Sequence, residues 1–206
     1  MKTSFYTVPL LATLCLAAFE SRIPAPATTP VVEVETFKVD AVHSSLLFKV
    51  RHLGVSEVWG RFNRFSGKVM FDADKVAAGS VELEIDANSV DTGDAGRDKH
   101  LRTPQFFNVK QHPKITFKSA KLNPGKDGAF EVEGELSLLG ETRKVKAAAQ
   151  FLGRKDSGSP RFGTRAGFSA KFTFKRSDFG MKYAIQNGML GDEIEVVICV
   201  EGVLQK

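Results

Sequence analysis

The sequence predicts an all-β, antiparallel fold on three observations. Apolar and polar residues alternate with period two along most of the chain, only one stretch breaks that alternation, and phenylalanine dominates the large side chains. Alternation of this kind marks strands with one buried face. With 206 residues, 42% hydrophobic and 26% charged, the chain has apolar mass for one sizeable core. Its 17 Phe stand against 2 Tyr and 1 Trp, so most of its large rings carry no polar handle.

The N-terminus reads as an export signal. A charged start at Lys2 precedes an apolar run from Val8 to Phe19 and then Ala25-Pro26-Ala27, and that run is too short to span a bilayer. Residues 1–27 are therefore read as a signal peptide and 28–35 as a Pro-rich linker, leaving a folded domain over 36–206 and no transmembrane segment in the mature chain. Cys15 falls inside the signal, where Leu14 precedes it in place of the small residue that a lipidation site prefers. Cleavage leaves Cys199 alone, which excludes an intramolecular disulfide framework; it is read as a buried, inert thiol. The formal net charge of +5 is interspersed along the chain, which argues against a nucleic-acid partner.

Within the domain, three strands stand out. Phe130, Val132, Leu136 and Leu138 alternate with Glu131, Glu133 and Glu135, while Val81, Leu83 and Ile85 alternate with Glu82, Glu84 and Asp86. Phe162, Phe168, Phe172 and Phe174 share a parity opposite to Arg161, Arg165 and Lys171. Weaker runs cover Phe37–Ala41, Ser45–His52, Val58–Phe71, Lys114–Leu122, Lys144–Phe151 and Asp192–Gly202. The count is roughly eight or nine strands. Lys155–Pro160 reads as a loop, and Asp94–Leu101, after a cap-type Thr92, as a short helix ending before Pro104. Parity turns Gly134, Ala147, Ala149, Ala166 and Ala170 inward among the Phe rings and Ala148 outward. Small residues facing large ones suit either an open barrel lumen or an interdigitated sandwich core, and the pattern alone does not choose.

The order of motifs adds a resemblance. The run from Val39 to Asp72, with His43-Ser44, His52 and Gly60-x-Phe62, is similar to the opening of the YceI-like family of lipocalin-like, lipid-binding proteins. Asn88 to Ser119, Gly134 to Val145, Lys175 to Met181 and Gly191 to Lys206 resemble its later landmarks, in the family's order; Gln105 stands where the family usually has Asp. The resemblance covers about Thr36 to Lys206. It implies an extended eight-stranded antiparallel barrel with a short helix near one end. Its apolar lumen would bind, store or transport a polyisoprenoid, an isoprenoid quinone or a fatty-acid-like lipid. Periplasmic or secreted location and frequent homodimers are implied as well.

On that frame, Phe48, His52, Phe62, Phe117, Phe130, Ala147, Ala149, Phe168 and Phe172 are the lumen residues by parity. Arg97 and His100 either meet a ligand head group or form, with Asp98 and Leu101, a network that closes the barrel end. His52 either faces the ligand or bonds a strand-end carbonyl. Arg176 and Asp178 read as a salt link stabilising a turn. His43, His52, His100 and His112 match no compact metal spacing, so no metal and no cofactor other than a bound lipid is expected. His43 and Ser44 are the only obvious base and nucleophile pair, and strand neighbours point to opposite faces. The sequence therefore predicts a non-enzyme, with a filled structural β-domain, and behind it a hydrolase or isomerase, as the alternatives.

Overall fold

The computed structural model describes Met1 and residues 34–205. The apolar run of the signal, Cys15 and the linker as far as Glu33 lie outside the described residues. The chain then forms β1 (Glu35–Val39), β2 (Ser45–His52), β3 (Ser56–Phe62), β4 (Phe65–Phe71), β5 (Ser80–Asp86), β6 (Val90–Asp91), α1 (Ala95–Leu101), β7 (Lys114–Pro124), β8 (Ala129–Leu138), β9 (Glu141–Asp156), β10 (Thr164–Lys175) and β11 (Leu190–Leu204). All pairings are antiparallel. They run β1-β4-β5-β7-β8-β9-β10-β11, and β11 pairs back to β1 through Phe37 with Leu204 and Val39 with Gly202, which closes the ring.

Three short segments complete that ring lengthwise. β2 follows β1 along the same edge of β11, β3 pairs with β2, and β6 pairs with β3. Six segments are thus three bent strands, and the barrel has eight. Each bend switches parity: the buried positions are odd in β1, β4 and β5 (Phe37, Val69, Ile85) and even in β2, β3 and β6 (Leu46, Phe62, Val90). The apparent single run Val58–Phe71 is therefore two segments broken at Asn63-Arg64, and the switch keeps both halves facing inward.

Two buried serines hold these bends. Ser44 Oγ donates to Asp40 O at 2.7 Å and accepts from Glu201 N at 2.9 Å. Ser89 Oγ donates to Asp86 O at 2.7 Å and accepts from Arg64 N at 3.0 Å, beside a backbone bond from Asn63 N to Ser89 O. A hydroxyl both donates and accepts, so it replaces ladder partners that a bent strand loses. Ser44 is occupied in this way, and His43 turns outward to Asp40. The side-by-side base and nucleophile of the sequence form no hydrogen-bonded pair.

Glycine lets rings lie flat against the wall. A Cβ at Gly134 would stand 2.5 Å from Phe117 Cζ, and one at Gly60 would collide with the Phe48 ring. Phenylalanine 117 and Phe48 thus cover neighbouring strands without filling the centre. The outer face is charged instead: Lys146 reaches Glu131 and Glu133 across β8 and β9. Among the described residues, no helix is long and apolar enough to cross a membrane.

Several local expectations are corrected. The helix cap is Asp94, whose carboxylate accepts from Arg97 N at 2.7 Å, and not Thr92. Lys155 and Asp156 extend β9, so the loop begins at Ser157; Phe162 sits in that loop, 49% exposed, and not in the β10 row. A register shift at Gly167/Phe168 leaves Leu152 exposed between inward Phe151 and outward Gly153. Cys199 is exposed and not buried, because it pairs with outward Ser169.

Ser89→Ala removes one partner from three backbone groups around the bend. It is expected to lower stability by about 1–3 kcal/mol, the cost of leaving buried polar groups unsatisfied. The urea midpoint of unfolding, compared with that of Ser157→Ala in an exposed loop, checks this.

Candidate functional site

Antiparallel pairing sends the β2–β3 turn, α1, the β8–β9 turn and the β10–β11 segment to one end of the barrel. The β4–β5, β7–β8 and β9–β10 loops lie at the other. At the helix end a cavity of about 450 Å³ opens into the barrel, within the size range of sites that hold small ligands. Phe48, Phe62, Phe106, Phe107 and Phe174 form much of its wall, with Leu46, Ile85 and Leu136 beneath. A second chamber of about 100 Å³ lies below it, lined by Phe117, Ala147, Ala149, Phe168 and Ala170. Leu46, Ile85, Leu136 and Phe172 line both, so the two chambers adjoin along the barrel.

The far end is shut by packed rings. Phe71 lies 5.3 Å from Phe130, 5.0 Å from Phe151 and 5.1 Å from Phe168, and Phe37 meets Phe168 edge-on. Of the nine lumen residues named from parity, eight line one or both chambers. Phe130 faces inward but belongs to this plug, outside both linings.

Polar groups gather at the open end. Thr92, Arg97, His100, His52, Arg176 and Tyr183 all reach the upper chamber. Arg97 and His100 are three residues apart on α1 and so share a face. Arg97 Nε donates to Thr92 Oγ1 and Nη2 to Thr92 O, each at 2.7 Å. Thr92 Oγ1 donates in turn to Asp98, whose carboxylate also takes Thr92 N. The expected partnership of Asp98 with Arg97 or His100 is replaced by one with Thr92. His100 instead bonds Gln105 Oε1, and its ring stacks edge-on with Phe106 and Tyr183. Gln105 is exposed and outside the cavity lining, and it acts there only through His100. Arg102 fixes the end of α1 through Asn88 O and Val90 O.

Arg176 departs from the turn-stabilising salt link that its sequence position suggests. It is 2% exposed and makes no salt link with Asp178; its guanidinium donates to the carbonyls of Gly191, Met181 and Tyr183, while Asp192 takes Ser177. Burial pushes its pKa down from the ordinary arginine range, and the negative charge of Asp192 opposes that shift. Its sequence signal was weak: an Arg after a strand reads as solvated until the β10–β11 segment folds back over it.

Among the described residues, one trio with metal-ligating atoms comes together, Asp40, His43 and Glu201, within 4.8 Å of one another. It lies on the barrel wall away from the cavity. The Arg165 guanidinium already bridges Asp40 Oδ2 and Glu201 Oε1, each at 2.6 Å, so a cation from the chain occupies the position between the carboxylates.

The YceI-like domain matches residues 37–202. The chain belongs to the YceI-like family. A UPF0312 protein of Pectobacterium carotovorum is 41% identical over 171 residues, 82% of this chain and 86% of the relative. The barrel is similar to the crystal structure of BcnA from Burkholderia cenocepacia, with TM-score 0.72 and 24% identity over 79% of this chain and 98% of that one. It is also similar to a polyisoprenoid binding domain from Saccharophagus degradans, implicated in plant cell wall breakdown, with TM-score 0.64 and 20% identity over 84% and 99%.

The Asp40 cluster yields a pH dependence. Hydrogen bonds from His43 and then Arg165 hold the Asp40 carboxyl at about 2, below its ordinary 3.8. A lowered carboxylate stabilises the fold above its unfolded value and loses that contribution as pH falls through the folded one. Urea midpoints measured across that window should fall steeply in the parent and less steeply in Asp40→Asn, which also starts lower at neutral pH.

Proposed function

We propose that this protein is an exported, non-catalytic carrier that holds one long-chain amphiphile, tail down, in its barrel. The observation that supports this most directly is the pair of adjoining apolar chambers between the helix end and the phenylalanine plug, with Leu46, Ile85, Leu136 and Phe172 lining both. A sandwich core would have filled them. The polyisoprenoid binding described for the similar Saccharophagus domain supports the same reading, with isoprenoid quinones and fatty-acid-like lipids as the other tails of suitable shape. Each methylene moved from water into such a lumen contributes about 0.8 kcal/mol, so tight binding needs few specific contacts. Carrier action also accords with Ser44 and His43, whose polar atoms serve the β1–β2 bend and not the cavity.

Export to the periplasm or beyond rests on Lys2, the Val8–Phe19 run and the Pro-rich stretch before β1. N-terminal sequencing of protein from its native host should find a start between about Ala27 and Thr36; recovery of Met1 in the cytosol would count against export.

Native mass spectrometry of that protein should show one apolar molecule per chain, released on delipidation. Ala147 is 6% exposed and lines the lower chamber, whereas Ala148 is exposed on the outer face of the same strand. Ala147→Phe is expected to block the lower chamber and lose most of the ligand, while Ala148→Phe retains it. Equal retention in both variants would show that no tail occupies that space. If the space were a tightly packed core, the added ring would instead cost about 1–3 kcal/mol in ligand-free protein.

A further inference from the structure

Charge is distributed unevenly around the cavity. The lining of the upper chamber includes two guanidiniums, Arg97 and Arg176, and two imidazoles, His52 and His100, but no carboxylate. The nearest acids are committed elsewhere. Asp98 is held by the backbone and hydroxyl of Thr92, Asp94 caps α1, and Asp192 accepts from Ser177.

The two arginines have no carboxylate partner among the described residues. Arg176, nearly fully buried, is bonded to neutral carbonyl oxygens of the β10–β11 segment. Arg97 is bonded to the Thr92 hydroxyl and carbonyl, and its Nη1 makes no hydrogen bond among the described residues. The Thr92 hydroxyl donates to Asp98 and accepts from Arg97, so it stands between the acid and the guanidinium. Tyr183 links the two sides of the rim: its carbonyl accepts from Arg176, and its ring lies 5.2 Å from that of His100. The charge of Asp192 favours Arg176 without an ion pair between them, and neither arginine is in an ion pair among the described residues, so the cavity mouth carries more positive than negative charge.

We infer that the carried amphiphile has an anionic head, a carboxylate or phosphate monoester, which sits between Arg97, His100 and the Arg176 side of the rim while its tail points to the phenylalanine plug. This deepens the carrier reading and rests on it. A neutral quinone or alcohol would fill the same apolar volume but leave the positive rim uncompensated. An anion gains charge-assisted hydrogen bonds there, which are about twice as strong as neutral ones.

The test uses delipidated full-length protein and three probes with one tail: palmitate, hexadecylphosphate and hexadecanol. Each displaces a fluorescent fatty-acid reporter at a pH where the acid is ionised. Palmitate and hexadecylphosphate are expected to bind about tenfold tighter than hexadecanol, the factor that one charge-assisted contact supplies. Arg97→Gln should narrow that ratio toward one by weakening palmitate and hexadecylphosphate more than hexadecanol, and the double variant with His100→Gln should narrow it further. Equal affinity of the three probes in the parent, or an undiminished ratio in the double variant, overturns the anionic-head assignment and leaves the carrier standing. Failure of all three probes to bind overturns both.

Discussion

One geometric constraint governs this molecule: eight strands must close into a ring while the centre stays hollow. Closing demands strands long enough to wrap and bent enough to meet, so that β1 can reach both β4 and β11. Keeping the centre open demands that large apolar side chains cover the wall without crossing it. The bends at Asp40–Ser44, Asn63-Arg64 and Ala87–Ser89 meet the first demand, and flat rings over Gly60 and Gly134 meet the second. Phenylalanine suits both. It buries much area in a thin, rigid plate and carries no polar atom that would require a partner in the lumen.

The same constraint separates the two ends. At the β4–β5 end, Phe37, Phe71, Phe130, Phe151 and Phe168 interlock and seal the barrel. At the other end the strands pass into α1 and the β10–β11 segment, which cannot contribute to the ladder and so bring side chains of their own. Those segments are tied to the barrel by side chain to backbone bonds, Arg102 to Asn88 and Val90 on one side and Arg176 to Met181, Tyr183 and Gly191 on the other. Greasy volume below and donor groups above give the cavity a direction. An amphiphile matches that polarity; a compact polar substrate does not.

The chemistry-bearing residues that sequence gathers are mostly put to structural use. Ser44 and His43 are adjacent, yet the hydroxyl stitches β1 to β11 and the imidazole turns to Asp40 on the surface. The acids that flank Arg97 and Arg176 in sequence, Asp98 and Asp178, do not pair with them. For Ser44 and Arg176, backbone groups freed by a bend or a loop outcompete the nearby side chain, because an unsatisfied buried amide or carbonyl costs more than an exposed ion pair gains.

By itself, the sequence determined most of the strands and the inward face of each regular one. Period-two alternation is a local property, so Phe130 to Leu138 or Val81 to Ile85 could be oriented without any partner, and eight of nine lumen residues reached the cavity lining. Ordered motifs then selected a barrel where alternation alone left a sandwich open. Only the tertiary structure decided where parity switches, because a bend is stabilised by Ser89 bonding Arg64, 25 residues away. Only it showed that Phe130 belongs to a plug, that Gln105 holds His100, and that Arg176 is buried beneath the β10–β11 segment. Each of these depends on a partner distant in the chain or contributed by an irregular segment, and neither leaves a period in the sequence.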